Sequence, residues 1–340
     1  MPNNPTKILL STVLVGGILI SISSNSWLGA WMGLEINLMS FIPLMSSQEN
    51  IFTTEASLKY FIIQALASST LLFLVIMKAL INQGLSMGSE MHEYMIMTPL
   101  LLKMGAAPLH WWFPSVMEGL DWTNCLLMMT VQKTAPMMLI SYLMKTNPMI
   151  LIIIMMSVII GALGGMNQTS LRKILTYSSI NHTGWMLAAL LIGSNLWAMY
   201  FMVYSLLTLT VTTITKSFNI SFINQTMTMS SKTTVKLMLF MSLLSLGGLP
   251  PFIGFMPKWI VIQAMVMNNL EFIMAMMVLM SLTTLYYYLQ VCYSSFLILQ
   301  EQTKWSTWKH KSNNVVKYSI MLSSISMMGL IISTMIVNID

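Results

Sequence analysis

The sequence predicts an all-α polytopic membrane protein with about eleven transmembrane helices. Hydrophobic residues make up 56% of the 340 residues and charged ones only 8%, and the mean hydropathy is +0.74. Apolar runs long enough to cross a hydrocarbon core, which takes roughly 20 helical residues, recur along the chain and leave no stretch for a soluble domain. They are too long for the short alternating strands of a membrane barrel, and a sheet edge would find no partners in hydrocarbon.

The first run, 8–24, follows the start MPNNPTK and reads as a retained signal anchor. A mitochondrial transit segment would be rich in Arg and Ser and amphipathic. The second run, 27–45, carries Glu35. The third, 57–80, has Lys59 and Lys78 near its ends, where long side chains snorkel to the interface. Glu55 ahead of it reads as a helix-start residue after Thr53 or Thr54. The fourth run, 94–113, is interrupted: in LLKMGAAPLHWWFPSVMEG, Pro108 and Pro114 lie just beyond Lys103, and His110 follows the break. The fifth, 122–144, holds Lys133 near its middle; 149–167, 174–193 with His182, and 196–217 come next. The ninth, 236–267, is interrupted as well. There LSLGGLPPFIGFMPKW sets Gly247, Gly248, Pro250, Pro251, Gly254 and Pro257 before Lys258. Runs 272–299 and 318–338 complete the set, and the Thr-rich 208–215 and Tyr-rich 286–288 read as helical despite their β propensity.

Both interrupted runs are expected to be broken helices. Proline removes a backbone donor and clashes with the preceding turn, and the freed carbonyls are tolerated at membrane depth only where they line a polar cavity or are buried in protein. A packing kink is the plainer account of each. The lysines beside them add a second signal. An intramembrane ionisable residue is costly and marks a candidate ion or proton path, and Lys103, Lys133, Lys258 and Glu35 all sit inside apolar runs. Snorkelling is the plainer account of a lysine, but these three are not at segment ends. His110 and His182 are lesser candidates, each also readable as a packing histidine; Asn181 or Thr183 would then support the His182 tautomer.

The formal charge of +6 is spread thinly between apolar runs and forms no aromatic-laced patch, so it reports topology and not nucleic-acid binding. One side would carry Lys7, Arg172, Lys173, Lys216, Lys232, Lys236, Lys304, Lys309, Lys311 and Lys317, against little beyond Lys78 and Lys145 on the other. The positive-inside rule then puts the N-terminus in the basic compartment and, with an odd helix number, Asp340 opposite. Cys125 and Cys292 are isolated, with no Cys-x-x-Cys or His/Cys cluster for a metal or iron–sulfur centre, and no glycine-rich nucleotide fingerprint follows a strand.

The broken runs are the fourth and ninth, five apart, and an odd offset reverses direction. Residues 1–145 and 146–300 are therefore expected to be two inverted five-helix repeats, followed by a loop and final helix over 301–340, an architecture that places a transport path at the midplane between broken helices. Lys103 and Lys258 would be counterparts, Lys133 would correspond to Tyr286, Tyr287, Tyr288 and Gln290, and Glu35 roughly to His182.

The stretches SNSWLGAWMGLEINLMSFIP, TEASLKYFIIQALAS, LLKMGAAPLHWWFPSVMEGL, QKTAP, GALGGMNQTSLRKILTYSSINHTGWM and LSLGGLPPFIGFMPKW cover 25–260 almost continuously. On them the chain resembles the antiporter-like subunits of respiratory NADH–ubiquinone oxidoreductase, complex I, a family related to subunits of cation/proton antiporters. Bacterial relatives carry three additional N-terminal helices. Their absence, with 38 methionines as expected where a mitochondrial code reads an extra Met codon, implies an animal mitochondrial product, multi-pass in the inner membrane, with its N-terminus in the matrix and its C-terminus in the intermembrane space. The resemblance implies that Glu35, Lys103, Lys133 and Lys258 carry protons. It implies no cofactor in this chain, with flavin, iron–sulfur clusters and ubiquinone on other subunits. Its partners would be neighbouring antiporter-like and small membrane subunits and membrane lipids, with no nucleic acid. Desolvation favours the neutral form of an amine and a nearby carboxylate the charged form, so movement of the Glu35 charge would switch Lys103 between holding and releasing a proton. A stand-alone Na⁺/H⁺ antiporter and a structural membrane spacer are the alternatives.

Overall fold

A computed structural model describes residues 5–47, 50–81, 89–227, 233–297 and, within 321–329, residues 321, 323, 324, 326, 327 and 329. The described residues are helical throughout apart from turns, loops and one isolated bridge. Two compact units divide the chain, residues 1–153 and 154–340.

In the first unit, α1 (Pro5–Ser23) packs against α2 (Trp27–Met45). Ser26 caps α2, its hydroxyl accepting from the Gly29 amide at 3.2 Å. Glycines let the two backbones approach: a Cβ on Gly33 would lie 2.5 Å from the Ser21 nitrogen, and one on Gly17 2.9 Å from the Asn37 nitrogen. The third helix, α3 (Ile51–Ile81), spans 31 residues, about 46 Å at 1.5 Å per residue, and so outruns the roughly 30 Å hydrocarbon core. It starts earlier than its apolar run. Glu55 therefore lies a full turn inside α3, exposed and paired with Lys59 at 2.6 Å, and is not the capping residue expected from the sequence.

The fourth run is broken into α4 (Ser89–Met104) and α5 (Trp112–Gly119). Gly105 makes the turn out of α4 at φ 71°, a conformation that costs any residue with a Cβ. The fifth run, expected as one helix, is also two, α6 (Trp122–Met129) and α7 (Val131–Ser141), parted at Thr130 with φ −115° and ψ −75°. No proline or glycine marks that position. The nearest proline, Pro136, lies within α7, where its missing donor leaves the residues a turn earlier short of a helical bond.

The division between the units falls within α8 (Pro148–Gly165). In the second unit, α9 (Leu171–Ile192) has the most completely buried helical stretch, with 178–190 enclosed, which explains how it carries Ser178, Ser179, Asn181 and His182 at membrane depth. α10 (Ser194–Ser217) packs beside it, and a short α11 (Ile223–Met227), not foreseen from the sequence, follows. The ninth run is broken as expected into α12 (Thr233–Gly247) and α13 (Phe255–Met267), and α14 (Glu271–Leu297) completes the continuous helices. Among the described residues, six helices, at 5–23, 27–45, 51–80, 148–165, 194–217 and 271–293, are long and apolar enough to cross a membrane. Lys232, Lys304, Lys309, Lys311, Lys317 and Asp340, on which the expected orientation leans, lie outside the described residues, as does most of the run 318–338.

Candidate functional site

In the first unit the polar groups converge on the break after α4. Lys103 occupies the last turn of α4, where the carbonyl end of the helix dipole favours a cation, and is only 7% exposed. The break frees backbone carbonyls, and side chains take them: Gln64 Nε2 on α3 donates to the Lys103 carbonyl at 3.3 Å, and Trp112 Nε1 donates to that of Leu102 at 3.1 Å. A cavity of about 10 Å³, the lower limit for a single water, is lined by Asn37, Tyr60, Gln64, Lys103 and Gln132 among others. Gln132 Nε2 donates to Asn37 Oδ1 at 3.0 Å, and the Tyr60 hydroxyl donates to Gln132 Oε1 at 3.4 Å.

Lys133 follows one residue after Gln132, in the first turn of α7, and is 1% exposed. Its ammonium lies over the Phe113 ring, 5.2 Å from the centroid, and Phe113 in turn packs at Gly105, where an added Cβ would sit 3.2 Å from its own. One aromatic ring thus joins the first break to the second lysine. Glu35 is half-buried on α2 and acts on Lys103 through its charge. Ion pairs in direct contact form elsewhere, Lys59–Glu55 and Lys145–Glu93, at 2.6 and 2.7 Å. His110 stands apart: half-exposed, it keeps Nδ1 3.2 Å from the Pro108 carbonyl of its own loop.

In the second unit, Lys258 lies in the first turn of α13 and is 4% exposed. Helix side chains tilt toward the N-terminus, so it reaches back across the break and donates from Nζ to the Gly247 carbonyl oxygen at 2.8 Å. The ammonium therefore sits on the negative end of α12. Gly248 permits this twice over, through its φ of 84° and because a Cβ there would stand 2.9 Å from the Lys258 ammonium. The Ile253 amide, also freed by the break, donates to the Ser326 carbonyl at 3.1 Å. Lys258 also lies 5.8 Å from the Trp185 ring centroid, one turn of α9 beyond His182.

His182 is buried, its Nδ1 2.9 Å from the Tyr200 hydroxyl on α10 and its ring 5.0 Å from that of Tyr204. The partner at Nδ1 is thus Tyr200, which the sequence did not suggest, beside the expected Asn181 or Thr183. Successive residues point about 100° apart around a helix; Thr183 donates to the Ile180 carbonyl and Asn181 packs against Gly161. Asn37, Gln64 and Gln132 were missed from the sequence, although each is an amide inside or beside an apolar run, the same signal that picked out the lysines. Nothing local marked Tyr200, which matters only because α9 and α10 pack together.

The sequence pattern of the family described as NADH:quinone oxidoreductase/Mrp antiporter, transmembrane, matches residues 24–284. The chain is 49% identical over 327 residues to NADH-ubiquinone oxidoreductase chain 2 of Anopheles gambiae, covering 95% of this chain and 96% of that one. To chain 2 of Locusta migratoria it is 44% identical over 332 residues, 97% of each. To that of Dasypus novemcinctus it is 35% identical over 329 residues, 94% of each. In fold it is similar to a chain of respiratory complex I from Thermus thermophilus with bound aureothin, with TM-score 0.84 and 23% identity over 97% of this chain and 79% of that one. A chain of the Mrp complex from Dietzia sp. has the same fold at TM-score 0.80 and 15% identity, over 96% and 75% respectively.

Proposed function

Since the chain belongs to the NADH:quinone oxidoreductase/Mrp antiporter membrane family, we propose that it is a proton-translocating membrane-arm subunit of respiratory NADH:ubiquinone oxidoreductase. Electron transfer, with its flavin, iron–sulfur clusters and ubiquinone, takes place on other subunits, and the chain sits multi-pass in the mitochondrial inner membrane with its basic face in the matrix. The observation that carries this reading is the burial of three ammonium side chains, Lys103, Lys133 and Lys258, each within a turn or so of a helix break. The names of the relatives and the continuity of their similarity over nearly the whole chain support it.

Glu35, Lys103, Lys133 and Lys258 are the proton carriers in this reading, with His182 as a buried intermediate; His110, held in its own loop, is the weakest candidate. Residues 1–145 and 146–300 are read as inverted five-helix repeats, each built around a broken helix. The energetic scale is suitable. Moving one charge against ~100 mV takes ~2.3 kcal/mol, comparable to making or breaking one hydrogen bond to a charged group, ~1.5–3 kcal/mol, such as that from Lys258 to Gly247. Small rearrangements at the breaks can therefore drive a relay.

Purification in mild detergent tests the assignment. Flavin and iron–sulfur subunits should co-purify; a solitary protein that exchanges ions when reconstituted alone would mark a Na⁺/H⁺ antiporter. Lys258→Met should lower the proton-to-electron ratio of the assembled complex more than it lowers assembly. A complex that keeps its full ratio would mark Lys258 as structural.

A further inference from the structure

The end of the second unit that carries Arg172, Lys173 and Lys216 contains a cavity of about 310 Å³, lined by Asn167, Gln168, Thr169, Tyr287 and Gln290 with a few apolar neighbours. Its wall is built. The Leu171 amide donates to the Ser221 carbonyl at 2.9 Å and the Ile223 amide to that of Thr169 at 3.1 Å, so the turn before α9 is stitched to the segment after α10. The neutral polar lining offers donors and acceptors without a fixed charge and has room for several waters.

Tyr287 is the buried aromatic residue of the lining. It is 2% exposed, packs its ring against Gly165, and its buried hydroxyl makes no well-aligned hydrogen bond. The Tyr288 hydroxyl is likewise buried, beside those of Tyr287 and Ser178 but without good hydrogen-bond geometry to either, and the two rings lie 4.7 Å apart. Leaving a buried hydroxyl unbonded costs about 1–3 kcal/mol, and two adjacent ones beside a polar cavity call for water. Further in, Tyr288 neighbours Ser178 and Tyr204, and Tyr204 stacks near His182. The exposed Tyr286 of the same triplet takes no part.

We propose that this cavity is a water-filled inlet on the basic face, and that Tyr287 and Tyr288 pass protons between its water and His182. The proposal rests on the proton-translocating reading above. A proton arriving at the Tyr287 oxygen from water displaces that oxygen's own proton toward Tyr288, and the same exchange continues through Tyr204 or an intervening water to the imidazole. Each hydroxyl ends with one proton and no residual charge, and the proton that enters is balanced by the one delivered to histidine.

Two measurements on the assembled complex test this. In X-ray radiolytic footprinting, where hydroxyl radicals form from nearby water, Tyr287 should be modified readily and Tyr200, bonded to His182, protected; protection of Tyr287 equal to that of Tyr200 would overturn a water-filled inlet. In sealed vesicles, Tyr287→Phe keeps the ring and removes the hydroxyl, and should lower the proton-to-electron ratio while Tyr286→Phe leaves it unchanged. If Lys258→Met lowers the ratio and Tyr287→Phe does not, the inlet is wrong and the relay stands. If neither lowers it, the relay reading fails and the inlet falls with it.

Discussion

Gly248→Ala and Gly247→Ala exchange adjacent glycines at the same break, yet opposite outcomes are expected. At Gly248 the backbone lies at φ 84°, which costs a residue with a Cβ about 1–2 kcal/mol. The new methyl would also stand 2.9 Å from the Lys258 ammonium. Because that is the far end of a flexible side chain, the ammonium moves and the backbone stays, at the expense of the 2.8 Å bond to the Gly247 carbonyl. Losing a buried hydrogen bond to a charged group adds about 1.5–3 kcal/mol, for a combined effect of about 2.5–5 kcal/mol. At Gly247 the added methyl would meet Tyr288 at 3.5 Å and Leu285 at 3.7 Å, ordinary contacts, so the change should stay within about 1 kcal/mol. The assay compares the yield of assembled complex on native gels, its thermal inactivation, and proton uptake against NADH oxidation in sealed vesicles. In a Lys258→Met background the ammonium contribution is gone, and Gly248→Ala should then cost only the backbone share. Equal damage from the two alanines, or strict additivity of Gly248→Ala with Lys258→Met, would refute the account of how the break holds its lysine.

Glu35→Gln and Lys103→Met should be less harmful together than the sum of their separate effects, since Glu35 acts on Lys103 through charge and one-sided loss of such a partner leaves a buried charge uncompensated. A double-mutant cycle on pumping measures the coupling, expected within about 0.5–3 kcal/mol; strict additivity would make the two independent. Gly33→Ala should destabilise the first unit by about 1–3 kcal/mol, because its Cβ would press on backbone at Ser21, whereas Gly16→Ala, with nothing within 4 Å, should be silent; thermal inactivation of the complex separates them. Membrane-impermeant labelling should reach residues 301–317 only after the inner membrane is opened, and labelling from the intermembrane side would invert the orientation.

The four proton-carrier candidates were legible because each is a charge inside an apolar run. What holds them was not. The Gly-Gly and Pro-Pro spacing announced that α12 would end and α13 begin, but not that Lys258 would return to Gly247. The break at Thr130 lacked any glycine or proline signal at its own position. Glu55 fitted a capping pattern until the true start of α3 at Ile51 placed it one turn before Lys59 on the same face.

The membrane class, the helical content, the two proline-rich breaks and the buried charges follow from the sequence alone, because a bilayer acts as a solvent on each segment separately: hydrocarbon demands that a segment satisfy its own backbone, and it exposes any residue that cannot. Tertiary structure decided the partners. Gln64 on the Lys103 carbonyl, Phe113 beneath Lys133 and Tyr200 on His182 all arise where separate helices meet. Those crossings depend on small residues such as Gly33, Gly161 and Gly165 that set how closely backbones approach, a property of two surfaces together that neither segment carries by itself.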